Sequence, residues 1–245
     1  MSQVVRLLPL ECRAGPANMA ADEVLLDAAV SGIASLRFYT WQVPALSLGY
    51  FQPESVRATD PRLLSLPYVR RTSGGATLVH DQELTYALGL PAGATWQSRG
   101  QSWICRMHGI IAVAITSFGI AAKPVARGTE QKLDDVLCFR HHTEGDLLVD
   151  GHKIAGSAQR KQRGALLQHG AILLAQSPST PVLSGIQELS GKEISPHILA
   201  ETLEKIFEQQ TGWQLSAQTW TDTELSRIGE LAQTKYGHES WNCKR

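Results

Sequence analysis

Cysteine is scarce in this chain and never paired. The four cysteines, Cys12, Cys105, Cys138 and Cys243, are scattered without a C-x-x-C pair. That spacing argues against a disulfide framework or a structural zinc site and suits a reducing compartment. Long hydrophobic runs are also missing. The longest apolar stretch, residues 110–115, is far short of a membrane span, which needs about 20 residues. The opening residues, MSQVVRLLPLECRAG, are broken by Arg6, Glu11 and Arg13, so no secretory leader is expected. No charge of one sign dominates: 23 Lys+Arg balance 23 Asp+Glu, without the basic excess of a nucleic-acid-binding domain. Repeats and low-complexity linkers are absent as well. The expectation is a cytoplasmic enzyme with neither a nucleic-acid nor a membrane partner.

What is present is ordinary globular material, 245 residues of which 43% are hydrophobic, enough for one sizeable core. Residues 17–31 place Ala20, Val24, Leu25 and Ala28 on one helical face, with Asp22, Glu23 and Asp27 elsewhere. SLRFYTW, ALSLGYF, LPYVRR, ATLVH and ELTYALGL read as strands. Residues 101–118 form the best buried helix, striped by Ile104, Met107, Ile111, Ile115 and Phe118, with Cys105 and His108 carried along as core residues. GDLLV and HKIAGSAQR flank Asp150-Gly151, a two-residue hairpin turn, and ALLQHGAILL continues them into an antiparallel meander over 145–175. Near the end, Ser195 caps a helix with Pro196 in its first turn; Ile198, Leu199, Leu203, Ile206 and Phe207 form its stripe, and it closes near Gly212. Thr221 and Glu224 form a capping box for a last helix bearing Leu225, Ile228 and Leu231. Hairpins bracketed by helices, with little βαβ alternation, predict an α+β fold around a mostly antiparallel or mixed sheet. Residues 1–245 read as a single catalytic domain. A C-terminal helical extension over 182–245, beyond the Pro178–Pro181 patch, packs on it.

Three constellations could carry chemistry. In VRRTSGGATLVH, Gly74 and Gly75 let backbone approach a ligand and offer N–H groups to an oxygen, with Arg71 supplying charge and His80 at the far end. A plain glycine-rich hairpin with surface arginines fits the same letters. In GHKIAGSAQRKQRGALLQHG, strand alternation puts Lys153, Ala155 and Ser157 on one face, beside small residues that leave room for a slender ligand. A solvated lysine at a hairpin tip is the competing reading. Cys138-Phe139 is followed by Arg140, His141 and His142, cations that would lower a thiol's pKa. An isolated cysteine is nevertheless more often a core residue, and a His-His metal site lacks further ligands at sensible spacing.

Taken together and in order, NMAADEVLL, LRFYTWQVPALSLGYFQ, RRTSGGATLVHDQELTYAL, GDLLVDGHKIAGSAQRKQRGALLQHGAILL and KYGHESWN resemble segments of the lipoate/octanoate ligase–transferase family, whose catalytic domain is shared with biotin protein ligases. The Cys138-Phe139 pair just before the lysine hairpin resembles the cysteine-dependent octanoyl-[acyl carrier protein]:protein N-octanoyltransferase branch. With SWNCKR closing the sequence, the accessory domain of the ligases is not expected. The resemblance implies that Cys138 takes octanoyl from acyl carrier protein and that a lysine of a lipoyl-domain protein resolves the thioester. Glycine cleavage H protein and a dehydrogenase E2 are such acceptors. It implies Lys153 as the catalytic lysine and backbone N–H groups of Gly156, Ser157 and Ala158 as the oxyanion site. Arg71, Ser73, Gly74, Gly75, His80, His169 and Gly170 would line the acyl tunnel. No metal and no cofactor is implied; ATP and Mg²⁺ enter only if the chain is a lipoate–protein ligase instead. An amidotransferase moving octanoyl between lipoyl-domain proteins is a further alternative, as is a carrier-protein binder with a dead site. Two departures stand out: Ala76 occupies the place of a third glycine, and RHHTEG replaces the usual linker after the cysteine. The geometric question is whether that linker lets the Cys138 sulfur meet the Lys153 amine.

Overall fold

The computed structural model describes residues 3–97, 100, 102–132 and 136–245. In chain order, β1 (Val4–Leu7), β2 (Glu11–Arg13), α1 (Gly15–Val30), β3 (Ser35–Trp41) and β4 (Ala45–Leu48) open the fold. The short α2 (Pro61–Leu64), β5 (Tyr68–Arg70), β6 (Leu78–His80), β7 (Glu83–Leu90) and α3 (Trp103–Ser117) follow. Then come β8 (Lys123–Pro124), β9 (Gln131–Lys132), a 3₁₀ turn (Cys138–Arg140), β10 (His141–His142), β11 (Leu147–Val149), β12 (His152–Gln162) and β13 (Ala165–Leu173). The remainder holds α4 (Ile186–Ser190), α5 (Pro196–Thr211), β14 (Gln214–Ala217), α6 (Asp222–Leu231) and α7 (Glu239–Asn242).

Nine of these strands form one mixed sheet, ordered β14-β1-β3-β7-β13-β12-β11-β8 with β2 also on β3. Its centre, from β3 through β7, β13 and β12 to β11, is antiparallel, while β14, β1 and β2 join in parallel. The α+β expectation and its mixed sheet therefore hold. Residues 182–245 supply helices and also β14, an edge strand of the main sheet. A second sheet, β5-β4-β6, carries the glycine-rich segment.

The two faces of the main sheet bury different partners. One face packs α3 and α5 through Trp103, Met107, Ile111, Ile115, Leu199, Leu203 and Phe207. The other packs α1, which α6 in turn covers. Because α1 is held between sheet and helix, it is buried nearly all round, and Asp22 is only 2% exposed rather than on an outer polar face. The helical stripes are right in their centres and wrong at their edges: Ile198 and Leu225 are 51% and 44% exposed. Among the described residues no helix is long and apolar enough to cross a membrane.

The hairpin that matters most for the site forms as its letters require. Asp150 and Gly151 both take positive φ, 47° and 77°, the pair that a type I′ turn demands. The alternation read after it is corrected by the structure. Leu148 pairs with Lys153 but Leu147 pairs with Ala155, so an extra residue, Ile154, bulges from β12. A bulge inverts the facing of everything beyond it. Ala155 therefore joins the α3 core, and Lys153 lies over Gly156 on the opposite face, where a Cβ on Gly156 would meet Lys153 Cε at 2.6 Å.

Candidate active site

The Cys138 turn is placed by the glycine-rich segment, far away in sequence. Thr77 N–H donates to Val136 O at 3.0 Å and Cys138 N–H to Thr77 O at 2.8 Å, a parallel bridge that fixes the turn beside the loop. Lys153 reaches the same turn from β12. Its ammonium donates to Asp146 Oδ2 at 2.7 Å, His141 O at 2.8 Å and Cys138 O at 3.2 Å, and stands 3.9 Å from Cys138 Sγ. Three oxygen acceptors thus match the three N–H donors of an ammonium, with the sulfur alongside. Asp146 is itself fixed, accepting from Thr143 N–H and Oγ1–H at 2.8 Å each. The RHHTEG linker therefore does bring sulfur and amine together, and its His141 carbonyl helps to aim the amine.

A cavity of about 460 Å³, its mouth included, opens at Cys138 and runs between the two sheets. Arg71, Gly75, His80, Cys138, Gly156, Ser157, Ala158, His169 and Gly170 all border it. Ser157 and Gly170 do so through backbone, since the Ser157 hydroxyl is engaged on the other face by Tyr86 and His108. Ser73 acts one step back, donating to His169 Nε2 at 2.5 Å, and Gly74 sits outward against Phe51. Lys153 borders a second, adjoining cavity with Phe139, Arg140, His142 and His152, so it stands between the two spaces. Among the described residues β11 pairs with β12 only as far as Ala155. Beyond that point, alternate N–H groups of β12 are directed away from β13, beside the Cys138 turn.

Arg71 does not project a free charge into the cavity. Its guanidinium donates to Ser47 O and Oγ, Gly74 O and Ala76 O at 2.6–3.0 Å, stitching the loop shut. Burial pulls its pKa down to about 10, opposed by the Cys138 sulfur. His80 accepts from Ser47 Oγ–H at 2.7 Å, donates to the Glu83 carboxylate, and stacks on Trp41 with ring centres 3.8 Å apart.

Sequence reasoning missed Asp146 and Asp22, the two carboxylates that hold the site. Asp22 Oδ2 accepts from His169 Nδ1–H at 2.8 Å and from Tyr39 O–H at 3.0 Å, with Arg37 3.4 Å from Oδ1. A carboxylate at the start of the lysine hairpin was the available signal for Asp146. Asp22 carried none, because its helical position reads as polar face.

A one-way chain of hydrogen bonds backs the site from the other face. Gln168 Nε2–H donates to Tyr86 Oη, Tyr86 to Ser157 Oγ, Ser157 to His108 Nε2, and His108 Nδ1–H to Gly145 O, at 2.6–2.7 Å. This direction requires a neutral imidazole. Burial lowers the His108 pKa against the Gly145 carbonyl and Asp146, which raise it; Lys153 adds to the lowering. The unfolded chain then takes the proton more readily, so stability is full above the ordinary histidine value of about 6.5 and falls as pH drops below it. The urea midpoint is expected to decline between pH 7 and pH 5, with a shallower decline in His108→Gln. Each unit by which the folded pKa lies under the ordinary one corresponds to about 1.4 kcal/mol. Equal slopes in the two proteins would remove His108 from the account.

A lysine hairpin meeting a glycine-rich loop over a mixed sheet now has a family. The model of the lipoyl protein ligase A/B catalytic domain matches residues 15–196, and the chain belongs to this family. It is 30% identical to octanoyltransferase LipM of Brevibacillus brevis, covering 98% of this chain and 99% of that one. It is 31% identical to octanoyltransferase LipM of Bacillus subtilis, with 95% of each chain covered. Among solved structures, lipoate-protein ligase A bound with ATP superposes with a TM-score of 0.79 at 22% identity, covering 99% of both chains. A bi-partite lipoate protein ligase of Thermoplasma acidophilum gives 0.74 at 19% identity, covering 99% of this chain and 97% of that one. These two structures bear on the fold.

Proposed function

We propose that this chain is a cytoplasmic octanoyltransferase of protein lipoylation, working through an acyl-Cys138 thioester without a nucleotide. The observation that carries the reading is the Lys153 ammonium 3.9 Å from Cys138 Sγ at the mouth of a narrow cavity. The LipM relatives support the reaction class. The donor is octanoyl on the thiol of acyl carrier protein, and the acceptor is a lysine of a lipoyl-domain protein such as glycine cleavage H protein or a dehydrogenase E2. In the first step the Cys138 thiolate attacks the donor's carbonyl carbon. The new C–S bond forms, the old one breaks, and the donor thiolate departs with a proton from Lys153. In the second step the acceptor's neutral ε-amine attacks acyl-Cys138. Its excess proton returns to Lys153, and Cys138 leaves as the thiolate. Within Gly156-Ser157-Ala158, the backbone N–H that alternation along β12 directs away from β13 serves the oxyanion. Thioester exchange keeps the acyl group at one energy level, so no activation by ATP enters.

Incubation with octanoyl-acyl carrier protein and no nucleotide, followed by intact-mass measurement, tests this. The expected result is a hydroxylamine-labile octanoyl adduct that is lost in Cys138→Ser. Labelling of a lipoyl domain only when ATP and Mg²⁺ are supplied would overturn it in favour of a ligase. Adduct formation from an octanoylated lipoyl domain but not from acyl carrier protein would reassign the donor.

A further inference from the structure

The register of the main sheet places four cavity-lining residues in one row across four strands. Gly156 pairs with Ala171, Ala171 with Thr85, and Thr85 with Tyr39. Directly opposed residues share a face, and all four border the cavity. The reacting end lies at Gly156, because Lys153 is folded over that residue and its amine stands 3.9 Å from Cys138 Sγ. From there the floor rises in side-chain size, from glycine through alanine and threonine to tyrosine. The far end is rigid. Thr85 Oγ1 accepts from Trp41 Nε1–H at 3.0 Å and donates to Glu83 Oε1 at 2.7 Å, and Tyr39 is wholly buried with its hydroxyl on Asp22.

We infer that the Gly156-Ala171-Thr85-Tyr39 row measures acyl chain length, with Thr85 and Tyr39 as the stop. The inference rests on the acyl-transfer reading above and deepens it. Strands are spaced about 4.8 Å apart, so Thr85 lies about 10 Å from Gly156 and Tyr39 about 14 Å. Extended backbone advances about 3.6 Å over three bonds, which gives an alkyl chain about 1.2 Å per carbon. Eight carbons with their terminal methyl then span about 10 Å and end at Thr85. Ala171, one strand from the reacting end, meets the chain near its fourth carbon.

Two substitutions move the optimum in opposite directions, which general damage to the fold does not do. Thr85→Ala removes part of the stop and is expected to shift preference toward ten carbons or more. Ala171→Leu obstructs the middle of the row and is expected to shift it toward four to six. Each methylene that gains or loses its contact changes binding about fourfold, so a two-carbon shift exceeds about tenfold. The measurement is competition among saturated acyl-pantetheine thioesters of four to fourteen carbons, read as the mass of the Cys138 adduct. Calorimetric binding of the free fatty acids runs in parallel, with circular dichroism to confirm folding. Opposite shifts in the two variants support the row as the ruler. An optimum that stays at eight carbons in both folded variants, or wild-type protein that binds no fatty acid, overturns it. Fatty-acid binding without any Cys138 adduct refutes the acyl-transfer chemistry instead, and the binding optima still decide the ruler.

Discussion

Lys153→Ala is expected to lower octanoyl transfer by about 10²–10⁴-fold, the usual reach of one positioned acid–base group. The amine is the cation that the structure sets against the Cys138 sulfur, at 3.9 Å, and the proposed cycle uses it twice, once as donor and once as acceptor of the same proton. The variant also leaves the Asp146 carboxylate, 3% exposed, without its ion-pair partner. Removing one member of a buried pair destabilises by about 3–5 kcal/mol, here reduced by the two hydrogen bonds that Thr143 still gives Asp146. Loss of activity could therefore be mistaken for loss of fold. The double variant Lys153→Ala/Asp146→Asn separates them: its urea midpoint should recover toward wild type while transfer stays low. Transfer that recovers along with the midpoint, or full activity in Lys153→Ala alone, would refute the role of the amine.

Asp22→Ala is expected to cost about 3–5 kcal/mol of stability, since it strands a buried cation. Arg37 is 1% exposed, and without Asp22 its guanidinium keeps, among the described residues, hydrogen bonds to Asn18 Oδ1 at 2.7 Å and Asn18 O at 3.3 Å and its place over the Tyr39 ring, but no carboxylate. The same substitution frees the Tyr39 hydroxyl and His169 Nδ1, and with them the imidazole on which Ser73 of the glycine-rich segment is docked. Burial is the first cause that pushes the Tyr39 pKa well above its ordinary value, ahead of the Asp22 charge; burial persists in the variant, so this phenol remains a donor and does not replace the missing anion. Against a total of about 5–15 kcal/mol for a folded domain, such a loss is large. Urea unfolding monitored by circular dichroism measures it, and a change under about 1 kcal/mol would show that Asp22 is not the hub of this network.

Local chemistry was legible in the sequence wherever a few neighbouring residues decide the outcome. Asp150-Gly151 made its turn, Ser195 and Thr221 cap their helices, and Gly212 ends one with φ 68°. The order of segments likewise carried the family. Three things were not legible, each because a distant partner decides. Alternation counted from the turn put Lys153 with Ala155, but the bulge at Ile154 comes from pairing with β11. Asp22 looked like solvent-facing charge, and only the sheet beneath α1 and the cover of α6 bury it. Cys138 gave no local sign of its place, which depends on Thr77 some sixty residues earlier.

That long-range bridge makes Cys138 part of the cavity's own roof. Thr77 follows directly on the Gly74–Ala76 carbonyls that Arg71 ties down, and its backbone carries the Cys138 turn by two hydrogen bonds. Loop and sulfur are consequently one mechanical piece, and Lys153 ties that piece to β12 through Cys138 O and His141 O. In the proposed reaction, an acyl tail seated beneath that roof therefore rests against the same piece of chain that carries the sulfur.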